Sequence, residues 1–169
     1  MADMQTDARY LELLRDRYQF ADWEGDTGSP QGPELRIIPF TGDELPGWTL
    51  QRGTRGTGMQ NVPMVRGIWV SARGEADRAL DVEVFQCSSA AAAREYLLVL
   101  LGDMQGPVAG RLPPGSLGDV GFHLGNDSAV AFVRGNLVVR IRNAGRKVGS
   151  VAAEAAAIDA RIVRGRGAR

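Results

Sequence analysis

Few side chains in this sequence have chemistry to offer. His123 is the single histidine, and Asp119 stands four residues before it in GlyAspValGlyPheHisLeuGly. On an extended strand Val120, Phe122 and Leu124 face inward, which leaves Asp119 and His123 together on the other alternation. A carboxylate can orient an imidazole for proton transfer, so this pair is the candidate general acid and base. No nucleophile is specified beside it, and an exposed or structural histidine accounts for the same residues.

The second constellation is ionic. Arg140 and Arg142 close one alternating run, and Asp81 and Glu83 alternate with Leu80, Val82 and Val84 in another. If the two runs are neighbours in a sheet, all four charged groups share its outer face. Arginine pairs bidentately with a carboxylate, whether of a side chain or of a ligand. This face is the candidate surface for an anionic ligand or a partner. A solvated, salt-bridged face is the plainer reading, since exposed ion pairs are common and weak.

Other signals fail on inspection. Asp22, Glu24 and Asp26 alternate like the start of a calcium loop, but Thr27 and Pro33 stand where that loop needs glycine and glutamate. Gly53, Gly56 and Gly58 do not match a phosphate loop or a dinucleotide fingerprint. Seven Arg-Gly dipeptides occur with little aromatic interleaving, and most of their glycines fall at expected turns. Cys87 lies between a strand and a helix amino terminus, where a thiol pKa can fall, although a small buried residue is the plainer reading. Asn126-Asp127-Ser128 fits a glycosylation sequon, which matters only for a chain exported from a eukaryotic cell.

Composition narrows the classes. The chain has 169 residues, 44% of them hydrophobic, which suits one domain with a real core. Net charge is zero, but residues 1–44 hold ten acidic and four basic side chains, and residues 134–169 hold nine basic and two acidic. Nineteen of the twenty basic residues are arginine, which together with abundant Ala and Gly reads as GC-rich coding bias. One cysteine and one histidine argue against an internal disulfide or a conventional zinc site. The expectation is no cofactor and no metal. No apolar run approaches the roughly 20 residues of a membrane span, and the amino terminus lacks a signal-peptide core. The expected location is cytoplasmic, with the mature form of an exported bacterial protein as the alternative.

The elements that must position these groups can be read from periodicity. Ala129–Arg134 and Leu137–Arg142 flank Gly135-Asn136, a two-residue loop that favours a primed turn. That loop sets Arg134 opposite Leu137, Phe132 opposite Val139 and Val130 opposite Ile141. Residues 7–21 read as an amphipathic helix, 22–33 as a turn-rich linker, and 34–40 as a short strand. Strands are expected at 47–51, 68–73 and 79–87, and glycine-rich loops at 52–66 and 102–118. Ser88 or Ser89 caps a helix through about Leu101, and Ser150 caps a last helix bearing Val151, Ala155, Ile158 and Ile162. The fold class is therefore α+β. It has a mainly antiparallel sheet of about six strands, two helices packed on one face, and an added N-terminal helix. The expected units are 1–43 (helix and linker), 44–163 (α+β domain) and 164–169 (basic flexible tail).

LeuProGlyTrp near Pro46, the acidic strand, the Ala-rich helix, GlyAspValGly and PheValArgGlyAsn together resemble uncharacterised bacterial domains. Those in turn resemble the PsbP-like α/β/α sandwich more distantly. The likeness covers about residues 44–163 and implies a binding or accessory module more often than an enzyme; no functional residue is carried over.

The first functional reading is thus a non-catalytic binding or accessory module. It would meet a protein partner or a second copy of itself, with a small anionic ligand as a further candidate. The alternatives are a small enzyme using Asp119 and His123 with Arg140 or Arg142 holding an anionic substrate, and nucleic-acid binding through the basic C-terminal region. The enzyme reading requires these groups to converge on one pocket. The nucleic-acid reading requires steep salt dependence and is the least favoured at zero net charge.

Overall fold

The protein is represented by a computed structural model that describes residues 8–26, 35–75, 77–104 and 109–166. The hairpin at Gly135-Asn136 forms as its sequence dictates. Strands β6 (Ala129–Arg134) and β7 (Leu137–Asn143) pair in the expected register, with Arg134 opposite Leu137, Phe132 opposite Val139 and Val130 opposite Ile141. Of the two loop residues only Gly135 has positive φ, at +59°, as a glycine-first primed turn requires.

This hairpin is the centre of a seven-stranded antiparallel sheet. The other strands are β1 (Trp48–Thr57), β2 (Pro63–Ser71), β3 (Ala79–Gln86), β4 (Gly110–Arg111) and β5 (Val120–Leu124), in the spatial order β1-β2-β3-β7-β6-β5-β4. The α+β class is as expected. The stretch 52–66 is not a loop: most of it pairs as β1 and β2 around a turn at Met59–Asn61. The strand expected at 47–51 is the start of β1, but every residue of β1 from Gln51 onward is exposed, so the rest of this edge strand carries no apolar alternation to announce it. Strand β4 likewise interrupts the expected loop at 102–118, with Arg111 opposite Phe122.

Helix α2 (Ala90–Asp103) starts where Ser89 Oγ accepts from the Ala92 N–H at 3.0 Å. Helix α3 (Ala152–Arg166) follows Ser150, whose Oγ accepts from the Ala152 N–H at 3.2 Å. The expectation that both helices cover one face is corrected. Helix α2 packs its Ala93, Tyr96, Leu97 and Leu100 with Phe85, Phe122, Ala131, Val133 and Val138. Helix α3 packs Ala155 and Ile158 with Val82, Val84, Val130, Phe132, Val139 and Ile141. These are the two alternations of the same strands, so α2 and α3 lie on opposite faces. The central strands are apolar on both sides, the mark of a sheet buried between layers.

The amino-terminal segment belongs to this core. In helix α1 (Ala8–Arg17) Leu14 is buried, and Arg15 reaches Glu95 of α2 at 2.7 Å. The 3-10 helix Phe20–Asp26 follows, and within it Trp23 is wholly buried, 5.1 Å from the Phe122 ring. Residues 22 and 23 are therefore not linker; residues 27–33 lie outside the described residues. The stretch 35–40 is not a strand. It is a strap across the α3 face, tied by side-chain amides: Asn136 Oδ1 accepts from the Leu35 N–H at 2.7 Å, and Gln86 Oε1 from the Ile37 N–H at 2.9 Å. Helix α3 continues through Arg166, into the stretch expected to be a flexible tail, and residues 167–169 lie outside the described residues. Among the described residues no helix is long and apolar enough to cross a membrane.

Candidate functional site

The register of three strands assembles an ionic array on the α2 face. Asp81 lies opposite Arg142 and Glu83 opposite Arg140 across β3–β7, while Arg66 lies opposite Glu83 across β2–β3. Directly opposed residues share a face. Arg66 forks onto Asp81 through Nε and Nη2, each at 2.8 Å. Arg142 donates to the same carboxylate from Nε at 3.0 Å and from Nη2 at 2.6 Å. Arg140 Nε donates to Glu83 at 2.6 Å, and its Nη2 pairs with the same oxygen.

The face is not the wet one expected from its alternation. Asp81 is 3% exposed and Glu83 5%. An unpaired carboxylate this deep would carry a large desolvation penalty, and here each is held by guanidinium groups. For Asp81, burial works to raise the pKa, but the hydrogen bonds from Arg66 and then Arg142 outweigh it and hold the carboxyl below its ordinary value. The arginines are graded in exposure: Arg140 is 13% exposed, whereas Arg66 and Arg142 are both 40% exposed. The array thus runs outward from the covered half of the face, where α2 lies on Val138 and Phe85. Arg66 was missed because residues 52–66 read as a loop. The alternation from Met64 through Val70, extended backward, would have found it.

The proposed acid–base pair is separated. Asp119 serves the hairpin turn: its Oδ2 accepts from the Gly135 N–H at 2.7 Å and its Oδ1 from Arg134 Nη1 at 3.0 Å. Four residues of strand, about 13 Å at the usual rise, lie between it and His123. The acidic neighbour of His123 is Asp127, with Nδ1 and Oδ1 3.1 Å apart. Register also divides His123 from the arginines. His123 lies opposite Val130 and hence Ile141, on the α3 face; Phe122 lies opposite Ala131 and hence Arg140, on the α2 face. Asp119 and His123 with an Arg140 or Arg142 substrate clamp is therefore overturned as a site, because the groups do not converge.

A structural lock also escaped the sequence reading. Arg134 Nε and Nη2 donate to the two oxygens of Asp159 on α3 at 2.8 and 2.6 Å, and the Gly118 N–H donates to Asp159 at 3.0 Å. Of the nine basic residues in 134–169, four (Arg134, Arg140, Arg142 and Arg161) are engaged by carboxylates of this chain. Among the described residues, part of the basic end is thus an internal partner. Cys87 is buried, and burial pushes its thiol up to about 11, so the helix start does not activate it.

On the α3 face a second feature stands apart. A cavity of about 310 Å³ opens between the strap and the C-terminal half of α3, floored by Val84 and Leu137. Its walls are Leu35, Ile37 and Phe40 on one side and Ile158 and Ile162 on the other. Glu44 at its edge is held below its usual pKa: burial works to raise it, but the backbone N–H groups of Thr41 and Gly42, donating at 2.8 and 2.9 Å, prevail.

Compared with known proteins, the chain matches no protein-family model, no curated protein and no solved structure.

Proposed function

We propose that this chain is a non-catalytic binding module that receives an acidic protein segment on the uncovered half of its α2 face. The observation that carries this reading is the shared grip on Asp81. One buried carboxylate holds two half-exposed guanidiniums in fixed orientation, and Nη1 of Arg66 and of Arg142 donates to no other group among the described residues. Arg52 lies opposite Ile68, which lies opposite Asp81, so this exposed arginine shares the face. With Arg66, Arg140 and Arg142 against Asp81 and Glu83, four positive charges less two negative leave this cluster at +2. Orientation by a buried partner lowers the ordering cost of a planar donor toward a carboxylate. The accessory role follows the PsbP-like resemblance read from the sequence; the layering of α2, sheet and α3 is compatible with it and assigns no residue.

The test is a titration of the full chain with a decaglutamate peptide, followed by the arginine Nε–Hε signals in nitrogen–proton spectra. Arg66 and Arg142 are expected to shift saturably, with an affinity that falls as salt rises. Arg52→Glu, at an exposed edge, is expected to weaken binding about threefold to tenfold. Shifts confined to arginines elsewhere, or an affinity indifferent to Arg52→Glu, would sink the proposal.

A further inference from the structure

The cavity on the α3 face is of different character, independent of the arginine array across the sheet. Its floor and walls are aliphatic and aromatic, from Val84 and Leu137 of the sheet, Ile158 and Ile162 of α3, and Ile37 and Phe40 of the strap. At about 310 Å³ it lies at the small end of ligand pockets, enough for one short chain or ring system. Three charged side chains line it, Arg36, Glu44 and Arg161, and they are unequal. Glu44 is spent on the N–H groups of Thr41 and Gly42. Arg161 is paired with Asp43 at 3.0 and 3.1 Å, with both side chains well exposed, 42% and 68%, so that pair is weakly held, and Arg161 lies 4.0 Å from the buried Glu44 carboxylate. Arg36, exposed on the strap, makes no ion pair among the described residues. Among the described residues the cavity therefore has Arg36 without an ion pair and Arg161 in an exposed pair with Asp43, beside an apolar lining.

We infer that this cavity takes a single-chain amphiphile with an anionic head, its tail between the strap and α3 and its head at Arg36 and Arg161. Burial of the tail supplies the larger part of the affinity, and the charge-assisted hydrogen bonds at the head orient it. The strap suits entry. Between Ile37 and Thr41 it has no ladder partner, being tied at one end by Asn136 and Gln86 and at the other by Glu44. A segment held by side-chain ties opens at lower free energy than a paired strand.

Decanoate, 1-decanol and decyltrimethylammonium, titrated into the full chain by calorimetry, test this. Decanoate is expected to bind one to one, with 1-decanol weaker by about tenfold and the cation not binding. Ile162→Trp fills the cavity and should lower decanoate affinity by at least about tenfold. Ile38→Asp changes a strap residue that is 72% exposed, so the fold is kept, and it should weaken decanoate severalfold even if the tryptophan variant does not fold. Equal binding of all three heads, or decanoate affinity unchanged in folded Ile38→Asp, overturns the inference. So does a dimer that excludes decanoate and is lost in Ile38→Asp, since a second copy is then the occupant. Decanoate binding that appears only when residues 167–169 are removed also overturns it, because the chain's own end then fills the cavity.

Discussion

Arg134 grips Asp159 through two parallel hydrogen bonds, of 2.8 and 2.6 Å, and by that contact the central hairpin is fastened to helix α3. The same arginine holds Asp119, so one guanidinium ties the turn, the entry to β5 and the last helix together. The Asp119 and Asp159 side chains are 9% and 11% exposed, which makes this a largely buried triad.

Removing one member should therefore cost more than a surface pair would. Asp159→Ala leaves Arg134 half-paired and the Gly118 N–H without its acceptor. The expected loss is about 3–5 kcal/mol, read as a lower midpoint in urea at pH 7. The triple replacement Arg134→Met, Asp159→Leu and Asp119→Asn should recover part of that loss, because only it removes every charge of the triad together. A loss under about 1 kcal/mol in the single variant would mark the triad as solvated.

The Asp81 array predicts a dependence on pH. Its carboxyl lies below the ordinary value in the folded chain, because the hydrogen bonds from Arg66 and Arg142 overcome the effect of burial. A depressed carboxyl pKa stabilises the fold above the unfolded value, about 3.9, and that contribution is lost as pH falls through the folded value. Urea midpoints measured from pH 7 down to 3 should drop at the acid end. Asp81→Asn should be less stable at pH 7 and show a shallower acid limb. Parallel limbs in the two proteins would mean that Asp81 does not supply the effect.

Asn136 is 5% exposed and speaks to two segments at once. Its Nδ2 donates to the carbonyls of Leu35 and Cys87 at 2.9 and 3.2 Å, while its Oδ1 accepts from the Leu35 N–H. Asn136→Ala should free the upper end of the strap at a cost of about 1–3 kcal/mol for groups left unpaired. Amide exchange at Leu35 should rise sharply, with less change at Ile37, whose N–H is still held by Gln86. Unchanged exchange at Leu35 would show that packing alone holds the strap.

Trp23 should behave as core although it lies in the acidic amino-terminal segment. It is wholly buried, its indole N–H donates to the Tyr18 carbonyl at 2.9 Å, and its ring stacks obliquely on Phe20 and Phe122. Trp23→Ala should cost about 3–5 kcal/mol in chemical denaturation. A nearly neutral effect would mean that helix α1 and its 3-10 extension contribute little to the fold.

The sequence alone determined what depends on local rules. Gly135-Asn136 sets the β6–β7 register because a two-residue loop admits few turn geometries. Ser89 and Ser150 mark helix starts because a hydroxyl satisfies an orphan N–H. The alternation of Leu80, Val82 and Val84 with Asp81 and Glu83 declares a strand and puts both carboxylates on one side of it. Those rules also placed Arg140 and Arg142 together. They could not reveal that Asp81 and Glu83 are buried, because burial depends on which arginines arrive from neighbouring strands, and Arg66 comes from a strand whose edge partner β1 has no apolar alternation beyond Leu50 to announce it. They could not separate His123 from Arg140 either. Both are polar positions in alternating strands, and only the cross-strand register through Ala131 and Val130 assigns them to opposite faces. The placement of α2 and α3 on opposite sides likewise followed from the tertiary structure, because β6 and β7 are apolar in both alternations and their pattern names no single covered face.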